Sequence, residues 1–159
     1  MTTREELIDG FRMIIREGLR TTAHLGPDGW KAVVHDEEGG WNVKQVYCHL
    51  TAIADVTPGL LGALSQTAEG EDAGAGLDID AFNAQNVASR EGMSEAELME
   101  AFKASHEKLI EFLQDVPDEQ LQQRRRFGPV EGTVAEVMAT ILVLHDLSHI
   151  YHAADRPAN

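Results

Sequence analysis

The stretch "ILVLHDLSHIYHAADRP" places histidines at 145, 149 and 152 within eight residues, out of seven histidines in the whole chain. On a helix, His145 and His149 stand one turn apart on one face, a separation that lets both imidazoles bind one ion. The same spacing also serves buried, neutral, hydrogen-bonded rings, or rings favoured by the negative end of the helix dipole. His152 lies one turn further on, where the helix is about to end. It reads as the dipole-favoured ring, or as support behind the pair.

A metal site needs remote ligands, and "GWNVKQVYCHLTAIADV" offers His49, at the margin of another helix's buried stripe. A bundle can bring His49 opposite His145 and His149. Three imidazoles around a divalent ion, with positions left open, form a catalytic rather than a closed structural centre. The plainer reading of His49 is a core-edge histidine bonded to a backbone carbonyl. Asp146 follows His145 directly and points about 100° away around the helix, as Cys48 does from His49. Asp146 and Asp55 are therefore weak as direct ligands, and Cys48 reads as a packed thiol. Asn83 is a candidate for orienting a ligand or binding substrate, against an ordinary place on a helix surface. In the basic run Arg124, Arg125 and Arg126, at least two residues read as a solvated loop, which leaves Arg126 as a candidate for an anionic substrate or cofactor.

Amphipathic helices must position these residues. Thr3 and Glu6 fit a capping box ahead of Leu7, Phe11, Ile14 and Ile15, and "GPDGW" then reads as a turn. The run "KAVVHDEEGG" reads as a polar loop. Asn42 can cap a second helix whose stripe is Val43, Val46, Leu50, Ile53, Leu60 and Leu64, with a kink or break expected before Pro58. "TAEGEDAGAGLD" reads as a flexible surface loop, and "DIDAFNAQNVASREG" as a short helix. Ser94 with Glu97 opens a further helix carrying Leu98, Phe102, Leu109, Phe112 and Leu113. In "PDEQLQQRRRFGPVEG" the pattern gives one helical turn and then a loop. Thr133 with Glu136 starts the last helix, which stops before Pro157. Along it Val134, Met138 and Ile141 form an apolar stripe, and the same stepping lands on His145, His149 and His152. No strand pair stands out. The expected fold is all-α, an antiparallel four-helix bundle, with residues 1–159 as a single domain.

Composition narrows the chemistry. The 159 residues are 43% apolar and 25% charged, as in an ordinary globular protein. Neither a bilayer-spanning run nor a secretory leader stands out, so a cytoplasmic protein is expected. The net charge of −14, from 27 acidic and 13 basic residues, argues against nucleic acid or membrane as partner. A lone cysteine excludes an internal disulfide and a thiolate-rich metal site.

"GWNVKQVYCHL" resembles the W-x-V-x-x-x-x-x-H-L signature of the DinB-like superfamily, and "HDLSH" is similar to its C-terminal H-x-x-x-H. "DIDAFNAQNVASREGMSEAELMEAF" resembles the branch that includes mycothiol-dependent maleylpyruvate isomerase. The resemblance implies a four-helix bundle with a divalent metal, zinc or nickel, on His49, His145 and His149. Where that branch often has glutamate, this chain has His145, which makes the site more neutral. It also implies a thiol-dependent S-transferase or isomerase, in which a low-molecular-weight thiol such as mycothiol or bacillithiol attacks an electrophilic substrate, and it makes a homodimer the expected assembly. Two rivals stand beside it: a metal-dependent hydrolase acting through water, and a bundle that only binds metal or a small ligand.

Overall fold

The computed structural model describes residues 2–34 and 40–155. Most of the polar run at 35–39, and Pro157 beyond the last helix, lie outside the described residues. The elements in order are α1 (Arg4–Thr22), α2 (Pro27–Lys31), α3 (Val43–Gln66), α4 (Ile79–Ala88), α5 (Glu95–Asp115), α6 (Asp118–Leu121), β1 (Arg124–Phe127), β2 (Val130–Thr133), α7 (Val134–Met138), a π-helical stretch Ala139–Leu144, and α8 (His145–Ala154). The last three follow without a break, so they form one rod. With α1, α3 and α5 this rod makes an antiparallel four-helix bundle. Within it α3 packs along α5, α1 lies against α5 and α8, and α8 also meets α3.

Local chemistry starts each long helix where expected. Thr3, Asn42, Ser94 and Thr133 all form reciprocal capping boxes with the residue three positions on. Each box pairs two backbone donors that the first helical turn leaves without partners. The core is aliphatic and aromatic, built on Phe11, Ile14, Tyr47, Leu50, Phe102 and Leu109, all buried. Gly18 lets α1 approach α5: a Cβ there would stand 2.6 Å from the Phe102 ring.

Of the two alternatives at Pro58, a kink or a break, the break is excluded, because α3 runs unbroken over 24 residues with the proline inside it. Other expectations are corrected. A strand pair does exist: β1 and β2 form an antiparallel hairpin with Phe127 opposite Val130. Its two-residue turn begins at Gly128 with φ 56°, the left-handed conformation that a Gly-first hairpin turn requires. The glycine-rich segment after α3 lies on the surface as expected, and it is anchored there: the Asp72 carboxylate accepts from the backbone amides of Gly74 and Gly128, each at 2.8 Å. The amide of Ala73 also donates to the Arg126 carbonyl, at 3.0 Å. Finally, Val134–Ala154 is long and apolar enough to cross a membrane by length and composition, contrary to the reading of the apolar runs. Here it is a core helix, with Val134, Val137, Met138, Ile150 and Ala153 buried in the bundle.

The π-helical stretch changes the face that the last rod presents. Its i→i+5 bonding inserts about one extra residue relative to α-helical stepping. Upstream, the buried positions are 134, 135, 137 and 138; downstream they are 142, 143, 146, 149, 150 and 153. The buried stripe thus arrives one residue later than an unbroken α-helix would bring it. Asp146 takes the inward place, and His145 moves to the edge of the core.

Candidate metal centre

Two helices deliver the imidazoles. His49 comes from the second turn of α3, where Leu50 anchors the following position in the core. His145 and His149 stand one turn apart on α8. One ring nitrogen from each of the three lies within 4.8 Å of the others. Nε2 of His145 is 3.5 Å from Nε2 of His49 and 3.0 Å from Nε2 of His149. The rings meet edge to face, with interplanar angles of 72° to 78°.

Burial sets the protonation of two of them. Desolvation, with the neighbouring His145 and His149 rings, pushes His49 down to about 3. Desolvation and then the His145 ring push His149 down to about 4. Near neutral pH both rings are uncharged, the form in which imidazole is a ligand.

Asp146 orients the third ring. The Nδ1–H of His145 donates to Asp146 Oδ1 at 2.9 Å, which leaves Nε2 as the bare nitrogen facing the other two rings. This carboxylate is 1% exposed. Its second oxygen lies 3.5 Å from Nε2 of the fully buried His106, an ion-pair contact too long for a full hydrogen bond. His106 is fixed in turn by donating from Nδ1 to the Phe102 carbonyl at 2.7 Å. Burial alone would raise the Asp146 carboxyl, but the His106 and His145 imidazoles outweigh it and hold the group below the ordinary carboxylate range. The Trp41 ring packs against His49 with centroids 5.0 Å apart, which gives the tryptophan of the W-x-V signature a physical task.

The donor set fits a divalent transition metal. It comprises three converging imidazoles, two held neutral and one fixed in the tautomer that frees Nε2, and imidazole suits zinc, nickel, copper and iron. Beside His49 and His145 opens a cavity of about 440 Å³, lined on other sides by α3, α4, the pinned segment at 73–77, Phe127 and Ile141.

Other candidate residues fall as follows. Asn83, on α4, lines this cavity. Arg126 does not; its Nε donates to the Gly128 carbonyl at 2.9 Å. His152 is exposed in the last turn of α8, and its charge acts on His149 rather than joining the three converging nitrogens. Asp55 pairs with Arg90 at 2.7 Å, and Cys48 is buried with its thiol pushed up to about 11 by desolvation. Sequence reasoning missed His106 and the orienting role of Asp146. The signal for Asp146 was its adjacency to His145, once the side chain is allowed to curl back along its own helix. A lone histidine in an apolar helical face gave no such signal at 106.

The comparisons with known proteins agree with this geometry. The model of the mycothiol maleylpyruvate isomerase N-terminal domain matches residues 11–149. Among solved structures, a Bacillus subtilis protein, YfiT, superposes with a TM-score of 0.66 at 14% identity, over 94% of this chain and 83% of its own. YfiT is described as a probable metal-dependent hydrolase with an unusual four-helix bundle topology. No curated protein matches the chain. With its capped helices, its W-x-V and H-L residues and its paired α8 histidines in place, the chain belongs to the mycothiol maleylpyruvate isomerase N-terminal domain family, within the DinB-like four-helix bundles.

Proposed function

We propose that this protein is a metal-dependent enzyme in which His49, His145 and His149 hold a divalent ion, and that its chemistry is thiol-dependent S-transfer or isomerisation. A single observation carries the reading: three imidazole nitrogens converge beside a cavity that His49 and His145 line, with no carboxylate among its described lining residues. A divalent ion held there supplies Lewis acidity, lowering the pKa of a thiol or water that reaches it. The protein's own residues do the rest. Asp146 keeps the His145 ring turned so that Nε2 faces inward, and His106 holds Asp146 from behind. Trp41 packs the His49 ring in place. Burial keeps His49 and His149 from competing for protons.

The choice of thiol over water is supported by the family's association with mycothiol. Proton chemistry allows both, since a bound divalent ion would bring a thiol of pKa ~8.5 and a water of about 15.7 each to ionise near neutral pH. Zinc or nickel is the proposed metal, and a small intracellular-type thiol such as mycothiol or bacillithiol the proposed cosubstrate. A second reading, metal-dependent hydrolysis, is favoured by the likeness to YfiT.

Metal analysis of the purified protein beside His149→Ala tests the centre. The wild type is expected to hold about one divalent ion per chain and the variant none. An unmetallated wild type that gains no stability from zinc or nickel would refute it. Melting curves with a panel of small thiols, against hydrolysable esters and amides, then separate the two chemistries. Metal-dependent stabilisation by a thiol alone selects transfer; stabilisation and turnover of an ester or amide without thiol selects hydrolysis.

A further inference from the structure

Beyond the histidines, the cavity itself carries information about what binds there. Apart from His49 and His145, its described lining is Thr57, Asn83, glycine and apolar side chains, with no lysine, arginine, aspartate or glutamate among them. Thr57 spends its proton on the Ile53 carbonyl at 2.7 Å. Asn83 forms no side-chain hydrogen bond among the described residues, so away from the histidines its amide is free to meet a ligand.

The nearby cations are all engaged elsewhere. Arg90 pairs with Asp55, Arg124 with Glu131, Arg125 with the Leu64 carbonyl and Arg126 with the Gly128 carbonyl. Away from the histidines, the described lining offers an anionic group no charged partner, inside a chain whose net charge is −14. At the rim, Leu77, Ile79 and Phe82 line the cavity yet remain 57%, 51% and 39% exposed. Apolar side chains grouped around an opening in this way mark a ligand-binding surface.

We propose that the substrate bound here is an apolar acyl or alkyl chain of about six to ten carbons, its polar head at the histidines and its one further polar contact the amide of Asn83. The length is that of a small-molecule site: at about 440 Å³ the cavity lies in the lower part of the range such sites occupy. The position of the head rests on the metal-centre reading above; the seat of the tail does not. Beyond the head, the same lining gives a second carboxylate no charged partner among the described residues.

The tail is tested with two probe series. On zinc-loaded protein, n-alkyl hydroxamates from two to eight carbons should bind about fourfold tighter per added methylene until the cavity is filled. On metal-free protein, 1-butanol, 1-hexanol and 1-octanol should follow the same trend in thermal stabilisation. Gly59→Leu provides the control that the fold survives. Gly59 lines the cavity, a Cβ there meets nothing within 4 Å, and a helical glycine gains propensity on replacement. Its melting temperature should not fall, while octanohydroxamate should lose about tenfold more affinity than acetohydroxamate loses.

A rising alkanol series in a protein that takes up no zinc sustains the chain-binding cavity and removes the metal reading. A flat series in a protein that does bind zinc overturns the inference, as does maleate or succinate binding as tightly as hexanohydroxamate. A rising series that Gly59→Leu leaves untouched places the tail elsewhere and overturns it too.

Discussion

The two ends of the last helical rod follow different rules. Between Val134 and Met138 the buried side chains are aliphatic, and each is held by packing alone. Between His145 and Ala153 the same rod buries Asp146 and His149 beside Ile150, and the polar groups are held by one another. The first end tolerates any apolar residue of similar volume. The second works only if each ring and carboxylate meets its partner. Stability and chemistry thus occupy one continuous helix, with the π-helical stretch between them.

Substitution at each end sets the contrast most sharply. His149→Ala should weaken metal binding by about a thousandfold, if the ~10–16 kcal/mol of a four-ligand zinc site divides roughly evenly among its ligands. Metal stoichiometry after desalting reads this directly. Met138→Ala should instead cost about 2–5 kcal/mol of unfolding free energy in denaturant titrations and leave the stoichiometry unchanged. If Met138→Ala loses the metal as well, the two ends are not separable.

A subtler change tests whether the polar end depends on orientation. Asp146→Asn keeps the shape but removes the charge that His145 and His106 face, and it should lower metal affinity by about 10- to 100-fold. Competition with a chromogenic chelator measures it. An unchanged affinity would reduce Asp146 to a packing role.

Between pH 7 and 5, acid should act on the polar end. His49 and His149 have folded pKa values of about 3 and about 4, below the ordinary 6.5. Above pH 6.5 neither state is protonated and the rings contribute no pH dependence. As pH falls below 6.5 the unfolded chain takes up protons that the folded chain refuses, so stability is lost, by about 1 kcal/mol for each ring over the first pH unit. Asp146 acts in a separate window: its lowered pKa adds stability above the unfolded carboxyl value of 3.8, lost as pH falls further. Melting of the metal-free protein across pH 7 to 5 should show the histidine slope, and replacing both rings by glutamine should flatten it. The smallest effect belongs to the aliphatic end. Thr133→Ala removes its capping box and should cost about 1 kcal/mol without altering metal binding.

Most of the frame was legible in the sequence because its signals are local. Thr3, Ser94 and Thr133 announce helix starts through a residue three positions away, and all three helices begin there. The convergence of His49 with the α8 pair followed once the helices were placed. The hairpin was missed because "RRRF" carries no apolar alternation, although Gly128 and Pro129 between two short runs were a usable turn signal. Asp146 was underrated because its place inward depends on the π-helical stretch, which no α-helical periodicity can show. The cavity was invisible for a different reason. Its wall is assembled from α3, α4, Phe127 and the segment fastened by Asp72, residues that no local pattern links.

The extra residue within Ala139–Leu144 makes this centre a matter of counting as well as of composition. Restoring plain α-helical bonding in that stretch, with no residue removed, would keep every histidine and every carboxylate in the chain. It would also turn α8 by about 100° relative to α7, carrying His149 and Asp146 off the buried face. Deleting one residue there would instead remove the bulge and leave the same face buried, so a relative with an unbroken last helix aligns with this chain only across a one-residue gap, and an alignment that closes the gap would pair the wrong residues with the metal-binding positions.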